Sequence, residues 1–283
     1  MSMMEQESIR MPRRLMAAIR APAVAGTFYP ANAMQLRIMI AQYLKVAKVS
    51  GPAPKAIIAP HAGYIYSGPV AASAYAHLRA ARDVVKCVVL LGPAHRVALR
   101  GLAASSAEAF LTPLGTVPVD REALARVLAL PQVQTLDEAH TQEHSLEVHL
   151  PFLQEVLGDF TLVPLVVGEA TAEEIGEVLD LLWDGPETEI VISSDLSHYY
   201  DYATARKLDQ ATSHAIEALE PEDIHIEQAC GRYAINGQLF AARRHGLRAR
   251  TVDLRNSGDT AGPCDEVVGY GAYVFTAGNP SPR

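Results

Sequence analysis

The sequence predicts an α/β fold: a single domain with a central, mostly parallel or mixed sheet flanked by helices. Three observations carry that expectation. Apolar, β-branched runs recur at 55–61, 87–95 and 190–198, and segments with helical periodicity separate them. Each of these runs ends in a histidine: His61, His95 and His198. Open α/β sheets gather their chemistry at strand carboxyl ends, where neighbouring ends face one cleft.

The elements follow in order. Residues 23–30 read as a short strand closed by Pro30, and Asn32 then caps a helix to Leu44 with Leu36, Met39, Ile40, Tyr43 and Leu44 on one stripe. After the run ending at His61, Ser67 as N-cap and Pro69 in the first turn predict a helix over 70–78. Beyond His95, 101–106 is a short strand candidate, 112–115 a turn and 117–119 a strand, and Asp120 caps a helix to about Leu130. Residues 160–167 are a strand in which Pro164 suggests an edge or a bulge. Thr171 caps a helix over 173–183, and 203–219 and 235–244 are helical. The stretches 251–254 and 267–275 are paired strands joined by the loop 256–262.

Composition excludes several classes. The 283-residue chain is 49% hydrophobic and 20% charged, with 24 basic against 32 acidic side chains and a net charge of −8. That balance argues against a nucleic-acid partner. No run reaches the ~18 apolar residues of a membrane span, so no membrane partner is expected. Cys87, Cys230 and Cys264 are too few and too scattered for a disulfide framework, which points to the cytoplasm. Arg10, Arg13, Arg14 and Arg20 lie in a segment without a signal peptide's apolar core. Residues 1–20 are expected to be a flexible arm and 21–283 a single domain.

Neutral imidazole is the commonest transition-metal ligand, so three histidines at equivalent strand ends suggest a metal site with open positions. The further ligand is offered by Asp195 or by Cys230, which precedes a helix whose N-terminus would lower the thiol's pKa. The segment 143–149 is not a zincin motif, because His144 and His149 are five residues apart and cannot share a helix face. A continuous helix there would instead align His140, His144 and Glu147. Ser193, Ser194 and Ser197 lack the glycines of a nucleophile elbow. Arg96 and Arg232 each follow a candidate ligand and favour an anionic substrate, while Tyr64, Tyr66 and Tyr199 could line the cleft.

Seven blocks then carry a resemblance: 25–30 (AGTFYP), 60–69 (PHAGYIYSGP), 91–96 (LGPAHR), 143–151 (EHSLEVHLP), 193–199 (SSDLSHY), 229–232 (ACGR) and 257–260 (SGDT). In this order they resemble the Memo family, known in prokaryotes as protein B of the AmmeMemoRadiSam system. The resemblance implies a fold like that of class III (LigB-type) extradiol dioxygenases, in which two histidines and a glutamate hold non-haem iron. It implies His61 and His95 as metal ligands, Cys230 in the glutamate's place, His198 as acid/base and His144 beside the substrate. It also implies iron(II) as the metal with copper as the alternative, because a thiolate offers copper(I) an acceptable donor. The resulting expectation is a metal-dependent redox enzyme, dioxygenase-like in ancestry, in which Asp195 orients His198. Tyr64, Arg96, Tyr199 and Arg232 are expected to contact a small-molecule or peptide anion. The alternatives are a non-catalytic binder of a phosphorylated or anionic peptide or metabolite, and metal-assisted hydrolysis. Other AmmeMemoRadiSam proteins are the expected protein partners.

Overall fold

Apolar runs without alternation have no solvated face and form strands covered on both sides. The computed structural model, which describes residues 19–278, places them at the centre. The chain opens with β1 (Ile19–Arg20), α1 (Ala33–Val46), β2 (Ala56–Ala59), α2 (Tyr64–Tyr75), β3 (Cys87–Pro93) and β4 (Leu102–Ala104). It continues with β5 (Ala109–Thr112), β6 (Gly115–Pro118), α3 (Arg121–Val127), β7 (Val133–Thr135), α4 (Glu138–Thr141), α5 (Leu150–Leu157), β8 (Thr161–Val167) and α6 (Ala172–Leu181). It closes with β9 (Thr188–Ser193), β10 (His198–Tyr200), α7 (Tyr202–Ala218), α8 (Arg232–Arg244), β11 (Leu247–Asn256) and β12 (Val267–Ala277).

Nine strands form a mixed sheet in the order β10-β12-β2-β9-β3-β8-β4-β7, with β11 paired to β12. Its centre, β2-β9-β3-β8, is parallel, and antiparallel pairs flank it at β12·β2 and β8·β4. One helical group, α1, α2 and α5, and a second, α6, α8 and α3, flank the sheet. This is the single-domain α/β architecture that the sequence predicts. No helix among the described residues is long and apolar enough to cross a membrane.

Several local expectations hold. Asn32 accepts from the Gln35 backbone N–H, Asp120 from that of Ala123, and Thr171 forms a capping box with Glu174. Others are corrected by tertiary contacts. Residues 23–30 form a tight loop with Gly26 at φ +86° and an isolated Ala25–Tyr29 bridge. Helix α2 begins at Tyr64 rather than 70, and the Ser67 hydroxyl donates back to the Ala62 carbonyl instead of capping. Pro164 is not at an edge: β8 lies between β3 and β4. The proline is tolerated because it falls between the end of the β4 ladder at Leu165 and the isolated Val119–Leu162 bridge. Residues 138–157 are broken into α4, a 3-10 turn and α5, so His140, His144 and Glu147 do not share one helix face.

Of the expected arm, residues 1–18 lie outside the described residues, but Ile19 and Arg20 belong to the fold. They pair with β5, and Arg20 is buried against Glu147, which is fully enclosed. Glu147 also accepts from the backbone N–H groups of Ala23 (2.6 Å) and Val24 (3.0 Å) and from the Tyr29 hydroxyl (2.5 Å). This carboxylate fastens the 23–29 loop to the body. Glu147→Ala strands the Arg20 charge in the interior and is expected to cost ~3–5 kcal/mol. A lower urea midpoint at unchanged m-value is the readout.

Candidate metal centre

Because β2, β9 and β3 are parallel neighbours, the loops leaving their carboxyl ends emerge on the same side. His61 leaves β2, His95 leaves β3, and Asp195 and His198 follow β9. Cys230 arrives from a different direction, just before α8, and its N–H donates to the Asp195 carbonyl (3.3 Å). Gly231 permits this close approach, since a Cβ there would lie 2.5 Å from the Ser193 carbonyl oxygen. The result is a group of donor atoms from His61, His95 and Cys230 that all lie within 4.8 Å of one another. The Cys230 Sγ is 3.4 Å from His61 Nε2.

Each imidazole is held in one tautomer by its other nitrogen. Ser193 has a single hydroxyl proton, which goes to the Ser145 carbonyl (2.6 Å), so Ser193 Oγ can only accept from His61 Nδ1–H (2.6 Å). His61 Nε2 is left unprotonated, as an acceptor 3.4 Å from the Cys230 thiol. His95 Nδ1–H donates to Glu143 Oε1 (2.9 Å) and its backbone N–H to Oε2 (2.6 Å), which frees His95 Nε2. The Glu143 carboxylate also accepts from the backbone N–H groups of His144 and Ser145. Burial alone would raise its pKa, but the hydrogen bonds from His95 and from the backbone donors bring it down to about 2. A carboxylate so committed orients His95, and it also lies in a second close group with His95 and His144. Glu143→Gln is expected to weaken metal binding roughly 10–100-fold, the usual cost of losing a ligand's orienting partner. A competition titration against a chelator measures it.

The electrostatics suit neutral nitrogen donors. Burial, reinforced by the neighbouring histidines, pushes His61 well below its ordinary pKa. Burial likewise brings His144 down to about 4 and lowers His198. The expected helix-end lowering of the Cys230 thiol is corrected: burial, with the charge of Asp195 adding to it, pushes the thiol up. Sγ sits ahead of the N-cap Gly231, inside the protein and beside an acid, where the helix dipole does not prevail. A cation at the site would favour the thiolate. Two nitrogen donors and one sulfur donor fit a borderline or soft transition metal ion.

The donors form one wall of a cleft of ≈ 720 Å³ that also holds Phe28, Arg96, His144, Asp195, His198 and Tyr199. His144 stacks on His95 (4.7 Å between centroids, 21°) and packs against Phe28 (4.8 Å). Tyr199 is a non-glycine residue at φ +61° where the β10·β12 register shifts between His198 and Tyr200. This bulge puts a 72% exposed ring at the cleft rim. His198 lines the cleft but is not in the close donor group.

Three expected site residues are placed differently. Asp195 accepts from the His61 backbone N–H (2.8 Å), and its other oxygen is 3.9 Å from His61 Nε2. No hydrogen bond among the described residues joins it to His198, so it braces His61 instead. Tyr64 is buried with its hydroxyl donating to the Val148 carbonyl (2.6 Å). Arg232 lies over the Tyr233 ring (3.9 Å) and donates to its hydroxyl, outside the cleft wall. The loop 256–262 offers no anion cradle: the N–H groups of Asn256, Gly258, Thr260, Ala261 and Gly262 are taken by Asp259, Asn256 and Ser257. Ser193, Glu143 and Phe28 were not among the expected site residues, although each lies in one of the family-like blocks; Ser193 also ends the β9 run and pairs with Ala59, two residues before His61.

A family model described as Memo-like protein matches residues 20–274. A protein named MEMO1 family protein from Aquifex aeolicus is 36% identical over 268 residues, covering 91% of this chain and 99% of that protein. One of the same name from Aeropyrum pernix is 40% identical over 281 residues, covering 90% of this chain and 98% of that protein. The crystal structure of an uncharacterized protein from Escherichia coli K12 is similar at a TM-score of 0.49 and 14% identity, covering 77% of this chain and 98% of that one.

Proposed function

Since the chain belongs to the Memo-like protein family, matched over residues 20–274, we propose that it is a metal-dependent redox enzyme binding one transition metal ion through His61, His95 and Cys230. Iron(II) is the first assignment and copper the alternative. The observation that carries the reading is the donor group within 4.8 Å, in which each imidazole turns an unprotonated Nε2 toward the others. The bound ion would supply Lewis acidity and one-electron chemistry to a substrate in the cleft. The chain's own residues do the rest. Ser193 and Glu143 hold the two imidazoles, and Asp195 fixes the backbone of His61. His198, neutral in the cleft, accepts or returns a proton at its ring nitrogen. His144 and Phe28 shape the floor, and Arg96 and Tyr199 meet an anionic small molecule or peptide at the rim. The chain is proposed to act in the cytoplasm with other AmmeMemoRadiSam proteins and to have neither nucleic-acid nor membrane partners.

Protein purified without oxygen and loaded with iron(II) is expected to retain about one ion per chain, as a single three-donor site requires, and His61→Ala to retain none. Mass-spectrometric metal analysis reads this. Background metal in both would overturn the assignment.

A second reading is favoured by one observation: Arg96 lines the cleft, is exposed, and has no ion-pair partner among the described residues. It is a non-catalytic protein that captures a phosphorylated or anionic peptide or metabolite. That reading requires saturable anion binding that survives chelation.

A further inference from the structure

A second cavity, of ≈ 280 Å³, lies at the carboxyl ends of β3 and β8, beside the metal cleft. Its wall includes Pro93, Val97, Leu99, Val167, Tyr233 and Ala234. Cys230 belongs to this wall and to that of the cleft, so the residue that offers Sγ to the donor group stands between the two spaces. The chemistry on its two sides differs. The cleft side carries His61, His95, His198 and Arg96. The side chains on the other side are mostly apolar, with Glu169 its single charged wall residue. Val97, Leu99 and Tyr233 pack on the core yet are only partly buried, so they keep apolar surface that the fold itself does not cover. The Tyr233 hydroxyl accepts from Arg232 (2.6 Å). A cavity of only ~150 Å³ accommodates benzene, so this one has room for a ring or a short chain.

We propose that this cavity receives the apolar arm of the substrate, a phenyl ring or short alkyl chain, while the substrate's polar, metal-seeking head lies among the histidines. The inference rests on the metal-site reading and narrows its substrate class: an amphiphilic small molecule rather than a wholly polar anion.

The test uses straight-chain hydroxamates, from acetohydroxamate to octanohydroxamate, titrated into full-length protein loaded with cobalt(II), whose visible spectrum reports binding. Affinity is expected to rise about fourfold per added methylene until the cavity is full. Val97→Trp and Leu99→Trp, which fill the cavity from a loop, are expected to flatten that series and leave acetohydroxamate binding unchanged. A flat series in the parent protein, or an undiminished one in both variants, overturns the proposal. In parallel, n-butylbenzene with metal-free protein is expected to show nuclear Overhauser contacts to the methyl groups of Val97, Leu99 and Val167. Contacts retained without any cobalt binding sink the metal reading and leave the cavity standing. Their absence while cobalt binds sinks the cavity assignment alone.

Discussion

Cys230→Asp is expected to lower copper(I) affinity by several hundredfold while iron(II) stays bound. Copper(I) is held by soft thiolate, whereas two histidines and one carboxylate are an ordinary set for non-haem iron(II). The magnitude follows from sites in which four donors together contribute ~10–16 kcal/mol, or roughly 3–4 kcal/mol each, and that energy corresponds to several hundredfold in a dissociation constant. The position suits the exchange sterically, because Asp and Cys are of similar length and the Cys230 backbone is held by its hydrogen bond to the Asp195 carbonyl. Parallel anaerobic titrations, copper(I) against a chromogenic chelator and iron(II) against a weak one, give both numbers. Unchanged copper(I) affinity would remove Cys230 from the ligand set.

The metal-free protein is expected to lose stability steadily as pH falls from about 6 to about 4.5. Burial lowers six histidines: His140 and His144 are brought to about 4, His149 to about 3, and His61, His77 and His198 are lowered as well. In the unfolded chain these groups take up protons near about pH 6.5. Their contribution is therefore complete above that pH and is lost below it. Three buried acids act in the opposite sense. Burial pushes Asp195 up to about 7, Asp209 up to about 6 and Glu189 well above the carboxylate range. The folded state keeps protons on these acids that the unfolded chain binds only near about pH 4, so they add stability as pH falls. Glu143, brought down to about 2, acts in the same sense as the histidines, so as pH falls the unfolded state takes up more protons than the folded one and stability declines. Urea midpoints across this range measure the slope. His149→Gln, at a residue whose Nε2 has no partner, is expected to make it shallower, since one of the groups that takes up a proton on unfolding is removed. A flat profile would mean that the histidines reach solvent.

Much of the architecture was legible because the relevant signals are local. A strand buried on both faces must be apolar throughout, and a helix needs a cap within a few residues of its start. The runs that became β2, β3, β8 and β9 and the caps Asn32, Asp120 and Thr171 carry those signals. The local rules failed where a distant partner supplied what the segment lacked. Ser67 is a good cap in isolation, yet its hydroxyl turns to Ala62 within a helix that starts earlier. Pro164 reads as an edge signal, yet β8 is interior and the missing N–H falls in a gap in the ladder.

For the site, the sequence by itself determined the donor types and their delivery at strand ends: His61, His95 and His198 each terminate an apolar run, and residue chemistry follows from composition alone. Only the tertiary structure decided which groups meet. The strand order β2-β9-β3 brings His61 and His95 together, and the entry of α8 adds Cys230 while His198 stays outside the close group. It also decided which nitrogen is free and whom Asp195 serves. Those outcomes depend on hydrogen bonds such as His61–Asp195, across 134 residues, and His95–Glu143, across 48. The physical reason is range. Periodicity and capping act over a turn or two of chain, whereas tautomer, pKa and ligand geometry are set by whatever lies within a few ångströms in space.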